Sequence, residues 1–156
     1  MSKWPGKKFE EDFTRQIDNN PNYFVHRIRD VQWYAGSVSI ADYLIFNGDK
    51  LFAMELKSTK WVSIPFSRLN MKQRQMMLNN LPVDNFIPWY ILNFRRDNNP
   101  TYWIHTETAE QYIGEADRKS IPVKPFLDEN GTNIDSELRQ KRYDYNVEDF
   151  INNYTK

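Results

Sequence analysis

Three charged residues near the middle of the chain, Asp42, Glu55 and Lys57, have the types and spacing that chemistry on a phosphodiester requires. Carboxylates supply the oxygen ligands that Mg²⁺ prefers, and a bound divalent cation polarises a phosphodiester and lowers the pKa of a bound water. A lysine beside them orients that water or stabilises developing charge. The alternative is a strand-end aspartate and an exposed Glu-x-Lys surface pair, a combination that is common by chance.

The segment between the two acids predicts a β-hairpin. If Gly48 and Asp49 form a two-residue loop of type II′, Asp42 lies opposite Glu55, with the two Cβ atoms about 4.5–5.5 Å apart. If Asn47 and Gly48 form the loop instead, as type I′ favours, Asp42 faces Ala53 and the carboxylates are offset diagonally. The predicted strands and turn are Tyr43–Phe46, Asn47–Lys50 and Leu51–Leu56.

In the first register the two bare carboxylates repel each other across the hairpin, which destabilises the sheet. A divalent cation removes that repulsion, because Mg²⁺ is commonly held by one or two carboxylates together with water and phosphate. Strand alternation places Lys57 on the same face as Glu55. The hairpin therefore predicts a shared metal site.

The other predicted elements place this hairpin in an α/β or α+β domain with a mixed central sheet. The first helix rests on the spacing of Phe9, Phe13 and Ile17. The segment from Gly114 to Gly131 is predicted to be loop with short strands. The remaining predictions are helices at Lys7–Asp18, Arg68–Asn80 and Thr108–Ile113, a last helix capped by Asn146 and ending near Tyr154, and strands at Tyr23–Trp33, Ile87–Phe94 and Thr101–His105.

Composition sets further bounds. The 156 residues, 40% of them hydrophobic, fit one domain over residues 1–156 with an ordinary core. The absence of cysteine excludes disulfides and thiolate metal sites. Equal numbers of acidic and basic residues, 21 each, mean that any DNA-binding surface is a local patch. No secretory signal or membrane span is evident, so a soluble cytoplasmic protein is expected, in a bacterium or in the host if phage-encoded.

Asp42, followed across a hairpin by Glu55-Leu56-Lys57, resembles the pattern of the PD-(D/E)XK nuclease superfamily. Within that superfamily the chain is similar to the RecU-type Holliday-junction resolvases, including those of phages. The similarity covers most of the chain and is most specific over residues 41 to 77. Its motifs are Gly6–Glu10, Ala41–Tyr43, Met54–Thr59, Ser63–Phe66, a helix bearing Gln73 and, more weakly, Arg118–Ile121 and Arg142–Tyr145.

The resemblance implies a restriction-endonuclease-like fold, with a mixed central sheet flanked by helices. It also implies a Mg²⁺- or Mn²⁺-dependent homodimer that cuts opposed strands of a four-way DNA junction. Asp42 and Glu55 would bind the metal, Glu10 would complete the site, Lys57 would orient the attacking water and Gln73 would support the site. RecU-type enzymes carry a stalk before the catalytic hairpin, and the segment here is too short for a full one. Nuclease chemistry therefore carries over better than junction selectivity.

Several assignments keep an alternative. Glu10 is also an ordinary helix-surface carboxylate, and Gln73 is also a core-edge amide bonded to backbone. Trp61 lies near the cleft, and packing is its simpler explanation. The candidate DNA-contacting residues, each of which is also a typical solvated surface charge, are Arg27, Arg29, Lys60, Arg68, Lys72 and Arg74.

Two other functions fit the same residues. A restriction-type or general DNA endonuclease keeps the chemistry and changes the substrate. A non-catalytic junction-binding protein on the same fold fits the neutral charge and the short segment before Asp42, but it has no need of the complete Asp, Glu and Lys set.

Overall fold

A computed structural model describes residues 5–18, 20–28, 39–96, 98–139 and 142–152. Helices are α1 (Pro5–Arg15), α2 (Met71–Asn79), α3 (Thr106–Glu115), α4 (Asp128–Asn130) and α5 (Val147–Asn152), with short helical turns at Phe66–Arg68 and Val123–Leu127. Strands are β1 (Phe24–Arg27), β2 (Tyr43–Phe46), β3 (Leu51–Thr59), β4 (Ser63–Pro65), β5 (Phe86–Phe94), β6 (Thr101–His105), β7 (Ser120–Pro122), β8 (Thr132–Asn133), β9 (Ser136–Arg139) and β10 (Arg142–Tyr145).

Six strands form the central sheet in the order β1-β2-β3-β5-β6-β8. The sheet is mixed, because β3 and β5 run parallel while their other neighbours pair antiparallel. The parallel pair occupies the middle of the sheet and is buried along nearly its whole length. Two small ribbons, β4 with β7 and β9 with β10, lie outside it.

Helices cover both faces of the sheet. Alternate side chains of β3 point to opposite faces, so Phe52 and Met54 pack with α1 and α5, whereas Ala53 packs with α2 and α3. This arrangement confirms the predicted α/β fold class, a mixed central sheet flanked by helices. It also assigns Glu55 and Lys57, two and four residues after Ala53, to the α2 and α3 face.

The two main predicted helices exist with shorter bounds. Phe9, Phe13 and Ile17 are buried as expected, but α1 ends at Arg15 and Ile17 follows in a turn. Helix α2 begins three residues later than predicted, because the Asn70 side chain accepts a hydrogen bond from the Gln73 backbone N–H, as a helix cap does. Leu69, predicted to be helical, is instead extended and buried before this cap.

Most other elements follow the prediction in type and differ in length, but the segment Gly114 to Gly131, predicted as loop with short strands, contains a helical turn and α4 besides β7. The β5–β6 hairpin is confirmed within one residue, and α3 is four residues longer than expected. The first strand is confirmed over Phe24–Arg27, and most of its predicted remainder lies outside the described residues, as does Tyr154. The β9–β10 ribbon was not predicted. None of the described helices is long and apolar enough to cross a membrane.

Candidate active site

The β2–β3 hairpin has the type II′ register. Gly48 has φ of +95°, and the Asn47 N–H donates to the Lys50 carbonyl at 3.2 Å across the Gly48–Asp49 loop. Leu44 pairs with Ala53, which confirms the first predicted register and excludes the diagonal alternative. The next positions along this register place Asp42 beside Glu55.

Backbone groups hold Asp42 on two sides. Its carboxylate Oδ2 accepts a hydrogen bond from the Leu56 N–H at 2.8 Å, and its carbonyl accepts one from the Ile28 N–H at 2.9 Å. A hydrogen bond to a charged acceptor is stronger than one between neutral groups, so the Leu56 bond fixes the carboxylate direction. The sequence carries no signal for this bond, because it depends on how the backbone bends where β2 begins.

Glu55 is buried, with 4% of the residue exposed, and has a partner on each carboxylate oxygen. Lys57 Nζ lies 3.0 Å from Oε1, and Gln73 Nε2 donates to Oε2 at 2.8 Å. Gln73 also donates to the Ser39 carbonyl at 3.2 Å, so both predicted kinds of partner, site and backbone, are present. The structure therefore brings Asp42, Glu55, Lys57 and Gln73 together.

Burial and a neighbouring carboxylate disfavour the charged form of Glu55. Burial is the larger cause, and the charge of Asp42 with a hydrogen bond between the two carboxyl groups adds to it. The Lys57 ammonium acts in the opposite direction, and the pKa of Glu55 is nevertheless raised to about 7. Asp42 and Glu55 thus form a site that binds a proton near neutral pH. A divalent cation bound between the two carboxylates would relieve their mutual repulsion in the same way as the proton does.

The carboxylate oxygens of Asp42 and Glu55 fit a magnesium ion. Mg²⁺ takes oxygen ligands and retains several waters, so two adjacent carboxylates are a sufficient protein contribution. The buried Gln73 Oε1 also lacks a donor within the described residues, which leaves an oxygen beside Glu55 for a water or cation. Across the described ranges no three acidic or histidine side chains group closely enough to hold one ion.

Glu10, which the resemblance places at the metal site, lies on a helix that packs against the opposite face of the sheet from Glu55. Helix α1 packs on the sheet face that carries Met54, whereas Glu55 belongs to the other face. Glu10 Oε2 lies 3.6 Å from the Arg27 guanidinium. Strand alternation accounts for this difference, since sequence periodicity places Glu10 on the sheet side of α1 without saying which sheet face α1 covers.

The candidate DNA-contacting residues are spread over several elements. Lys72 is exposed on α2, and Arg68 is exposed while donating to the Ser58 carbonyl at 2.9 Å. Lys60 Nζ lies 5.0 Å from the Trp61 ring centroid. Arg27, exposed on β1, lies over the Tyr43 ring as well as near Glu10, and Arg29 is outside the described residues.

Arg74 does not have the free surface expected of a phosphate contact. Its Nε and Nη2 bond the two carboxylate oxygens of Glu110 at 2.9 and 2.6 Å, and 14% of its side chain is exposed. A bidentate arginine–carboxylate pair uses the donors that would otherwise recognise phosphate. Arg74 therefore joins α2 to α3 in this structure.

Tyr90 was missed by the sequence analysis. It pairs with Glu55 across the parallel β3–β5 register, is fully buried, and has no hydrogen-bond partner for its hydroxyl within the described residues. Burial raises the pKa of the Tyr90 hydroxyl. The positive charge of Arg74 acts in the opposite direction, and the negative charge of Glu55 raises the pKa further. Periodicity could not have found it, because a parallel pairing between residues 35 positions apart leaves no local pattern.

The raised pKa of Glu55 predicts a pH-dependent stability. The unfolded chain ionises Glu55 near its ordinary value of 4.5, and the folded chain does so near 7. The free energy of unfolding therefore falls by up to about 3 kcal/mol as pH rises through that window. Above the window it no longer changes with the ionisation of Glu55. We expect the melting temperature of Glu55→Gln, in EDTA, to rise relative to wild type between pH 5 and pH 8.

Glu129→Gln, which changes an exposed glutamate on α4, is the matched control for this experiment. A stability difference between wild type and Glu55→Gln that stays constant from pH 5 to pH 8 would contradict the burial account of Glu55. Mg²⁺ at pH 8 should restore stability to wild type and not to Glu55→Gln, because only the wild type has both carboxylates to hold it.

Comparisons with known proteins agree with this geometry at the level of the fold. No family model matches the chain. The chain is 28% identical over 160 residues to the SPbeta prophage-derived uncharacterized protein YotM of Bacillus subtilis (strain 168), covering 90% of this chain and 81% of that protein. It is also similar to the solved structure of Archaeoglobus fulgidus Hjc, a Holliday junction resolvase from an archaeal hyperthermophile. That match has a TM-score of 0.56 and 15% identity, and it covers 82% of this chain and 95% of Hjc.

The likeness to Hjc shows the fold. The mixed central sheet and its flanking helices match the fold of that structure. At 15% identity the match leaves activity to be argued from the site.

Proposed function

We propose that this protein is a metal-dependent endonuclease that cuts branched DNA, with the four-way junction as its preferred substrate. The observation that carries the proposal is the pairing of Asp42 with a buried Glu55, beside Lys57, on one face of a sheet with the PD-(D/E)XK fold. A surface ion pair without function has no reason to bury a glutamate next to a second carboxylate, because both effects disfavour its charge.

Each side chain of the cluster has a distinct role in phosphodiester hydrolysis. Asp42, oriented by the Leu56 N–H, and Glu55, oriented by Gln73, hold a divalent cation, Mg²⁺ or Mn²⁺. When bound, the cation supplies polarisation of the phosphodiester and a lowered pKa for water. Lys57 donates from Nζ and so orients the attacking water and stabilises the charge that develops on phosphate oxygens.

The proposal extends to the assembly and the substrate. We infer a RecU-type resolvase that works as one nuclease unit over residues 1–156 and as a homodimer, because two symmetric cuts call for two sites related by a twofold axis. The prophage origin of the relative YotM and the resolvase activity named for Hjc support a phage-encoded enzyme of recombination. Lys60, Arg68 and Lys72 are the phosphate contacts that the described surface best supports.

A general or restriction-type endonuclease is the second candidate. Equal acidic and basic content and the short segment before Asp42 favour it, because RecU-type enzymes carry a stalk there and a neutral chain has no large basic surface for a branched substrate. This candidate uses the same four site residues and differs in substrate alone.

Cleavage of a panel of DNA structures separates the two candidates. Purified protein is incubated with a synthetic four-way junction, a flap and a linear duplex, in Mg²⁺ or in EDTA. We expect symmetric cuts in the junction with Mg²⁺, little cutting of linear duplex, and none in EDTA. Equal cutting of junction and duplex would contradict the resolvase assignment, and tight binding without any cutting would contradict the enzyme itself.

Gln73 should affect catalysis by positioning Glu55 rather than by contact with substrate. We expect Gln73→Ala to lower the cleavage rate roughly tenfold and to weaken Mn²⁺ affinity by about tenfold or more, as loss of a hydrogen bond to a metal ligand does. Gln75→Ala is the control, since Gln75 is exposed on the same helix. Unchanged Mn²⁺ affinity in Gln73→Ala would show that Glu55 does not depend on this amide.

A further inference from the structure

A cleft of about 460 Å³ opens beyond the C-terminal ends of the parallel strands β3 and β5. It lies on the sheet face that carries Glu55 and Lys57, since Phe94 and Val123 belong to the cluster on that face. Its wall is partly apolar and partly cationic. The described residues that line it are Val62, Phe94, Arg96, Pro100, Val123 and Lys124.

Trp61 immediately precedes Val62, which lines this cleft, and Trp61 is 64% exposed. Packing, the simpler explanation for this residue, was therefore wrong. Its backbone is held in place, because its N–H donates to Thr59 Oγ1 at 3.2 Å and the adjacent Val62 carbonyl accepts from the Val123 N–H at 3.1 Å. An exposed indole on a fixed turn is a preorganised apolar surface, which loses little conformational freedom when a flat partner covers it.

The charged side chains that line the cleft, and the one over the Trp61 ring, are all cationic among the described residues. Lys60 Nζ lies 5.0 Å from the indole centroid, and Arg96 and Lys124 are exposed in the cleft wall. None of the described residues that line the cleft is acidic, although the whole chain has equal numbers of acids and bases. The occupant that complements an aromatic face surrounded by cations is a strand of nucleic acid with its bases unstacked.

We infer that this cleft binds unpaired nucleotides of the DNA substrate, with a base stacked on Trp61 and the backbone phosphates beside Lys60, Arg96 and Lys124. The inference rests on the proposed function and names the part of the substrate that this surface recognises. Lys60 directly follows Thr59, the last residue of β3, and is three residues after Lys57, or roughly 10 Å of extended chain. A strand with unpaired bases at the branch point therefore runs directly into the cluster of Asp42, Glu55 and Lys57, and branch recognition does not require a stalk.

Binding to single-stranded DNA tests the inference without cleavage. A fluorescein-labelled oligothymidylate of 20 nucleotides and a 20-base-pair duplex are titrated with protein in EDTA. We expect Trp61→Ala to weaken binding of the oligothymidylate by about tenfold or more, the size of a lost base–aromatic stack, and to change duplex binding less than about twofold. Trp61→Phe should retain most of the affinity. Leu138→Ala removes an equally exposed apolar side chain on β9 and should leave both affinities unchanged.

The salt dependence tests the phosphate contacts separately. Arg96→Ser and Lys124→Ser should each lower the slope of log affinity against log salt by about 0.7 for the oligothymidylate. Equal affinity of wild type and Trp61→Ala, an equal loss for oligothymidylate and duplex, or no binding by wild type would each overturn the inference. If one of these results is found and the protein still cuts junctions in Mg²⁺, the inference about the cleft is overturned and the proposed function is retained. Binding that depends on Trp61, without any Mg²⁺-dependent cutting, would instead overturn the proposed function.

Discussion

Glu55→Gln and Asp42→Asn should each lower the rate of junction cleavage roughly a thousandfold or more. Each change keeps the size of the side chain and removes one of the two negative charges that hold the cation, whose stabilisation of the transition state is worth several kcal/mol. The Gln73 amide and the Leu56 N–H donate to the two carboxylates, so the substituted side chains retain an acceptor oxygen for them. Single-turnover cleavage of a labelled junction in Mg²⁺ measures the loss.

DNA binding by these two variants should be equal to or tighter than that of wild type. Removing a carboxylate from the cluster reduces its repulsion of the scissile phosphate. Glu129→Gln is the control for the loss of an acid far from the cluster and should cut at the wild-type rate. Full activity in Glu55→Gln would place the cleavage chemistry elsewhere in the chain.

Lys57→Met should lower cleavage by about a hundredfold to a thousandfold, the range found when one donor to a developing oxyanion is removed. Methionine keeps the length of the stem and removes the ammonium, so the strand β3 should keep its packing. The Nζ–Oε1 contact of 3.0 Å also means that Lys57 competes with a cation for Glu55. We therefore expect metal affinity in Lys57→Met to be retained or increased while the cleavage rate falls.

This combination separates a catalytic lysine from a surface ion pair. If Lys57 served only as a partner of Glu55, its loss would change stability by about 1 kcal/mol or less and would not slow cleavage at saturating metal. Lys7→Met, on the exposed side of α1, is the matched control. A cleavage rate within twofold of wild type would remove Lys57 from the reaction.

Local patterns in the sequence were sufficient to predict which residues form the centre of the site. The type II′ turn at Gly48 determines the hairpin register, the register pairs Asp42 with Glu55, and strand alternation adds Lys57 to the same face. Gln73 was expected to support the site or to bond backbone, and it donates to both Glu55 and the Ser39 carbonyl. Each of these inferences depends on residues a few positions apart or on one short hairpin.

The parts of the site that local patterns do not determine depend on long-range packing. Glu10 was assigned to the metal site by resemblance, but the sheet face that α1 covers is decided by the whole layer arrangement. The parallel neighbour of Glu55, Tyr90, follows a crossover through β4 and α2 and has no local signal. Packing was the simpler explanation for Trp61, whereas its side chain is exposed on a turn held by the bonds of Trp61 to Thr59 and of Val62 to Val123.

Titration of Mn²⁺ followed by its electron paramagnetic resonance signal tests the central claim most directly, because it detects the ion at the carboxylate pair without any DNA. Wild type at pH 8 should bind Mn²⁺ at the cluster, and Asp42→Asn and Glu55→Gln should each weaken that binding at least tenfold. Lowering the pH to 5.5 should weaken binding to wild type, since Glu55 then holds a proton. The same affinity in wild type and both variants would show that Asp42 and Glu55 do not form a metal site.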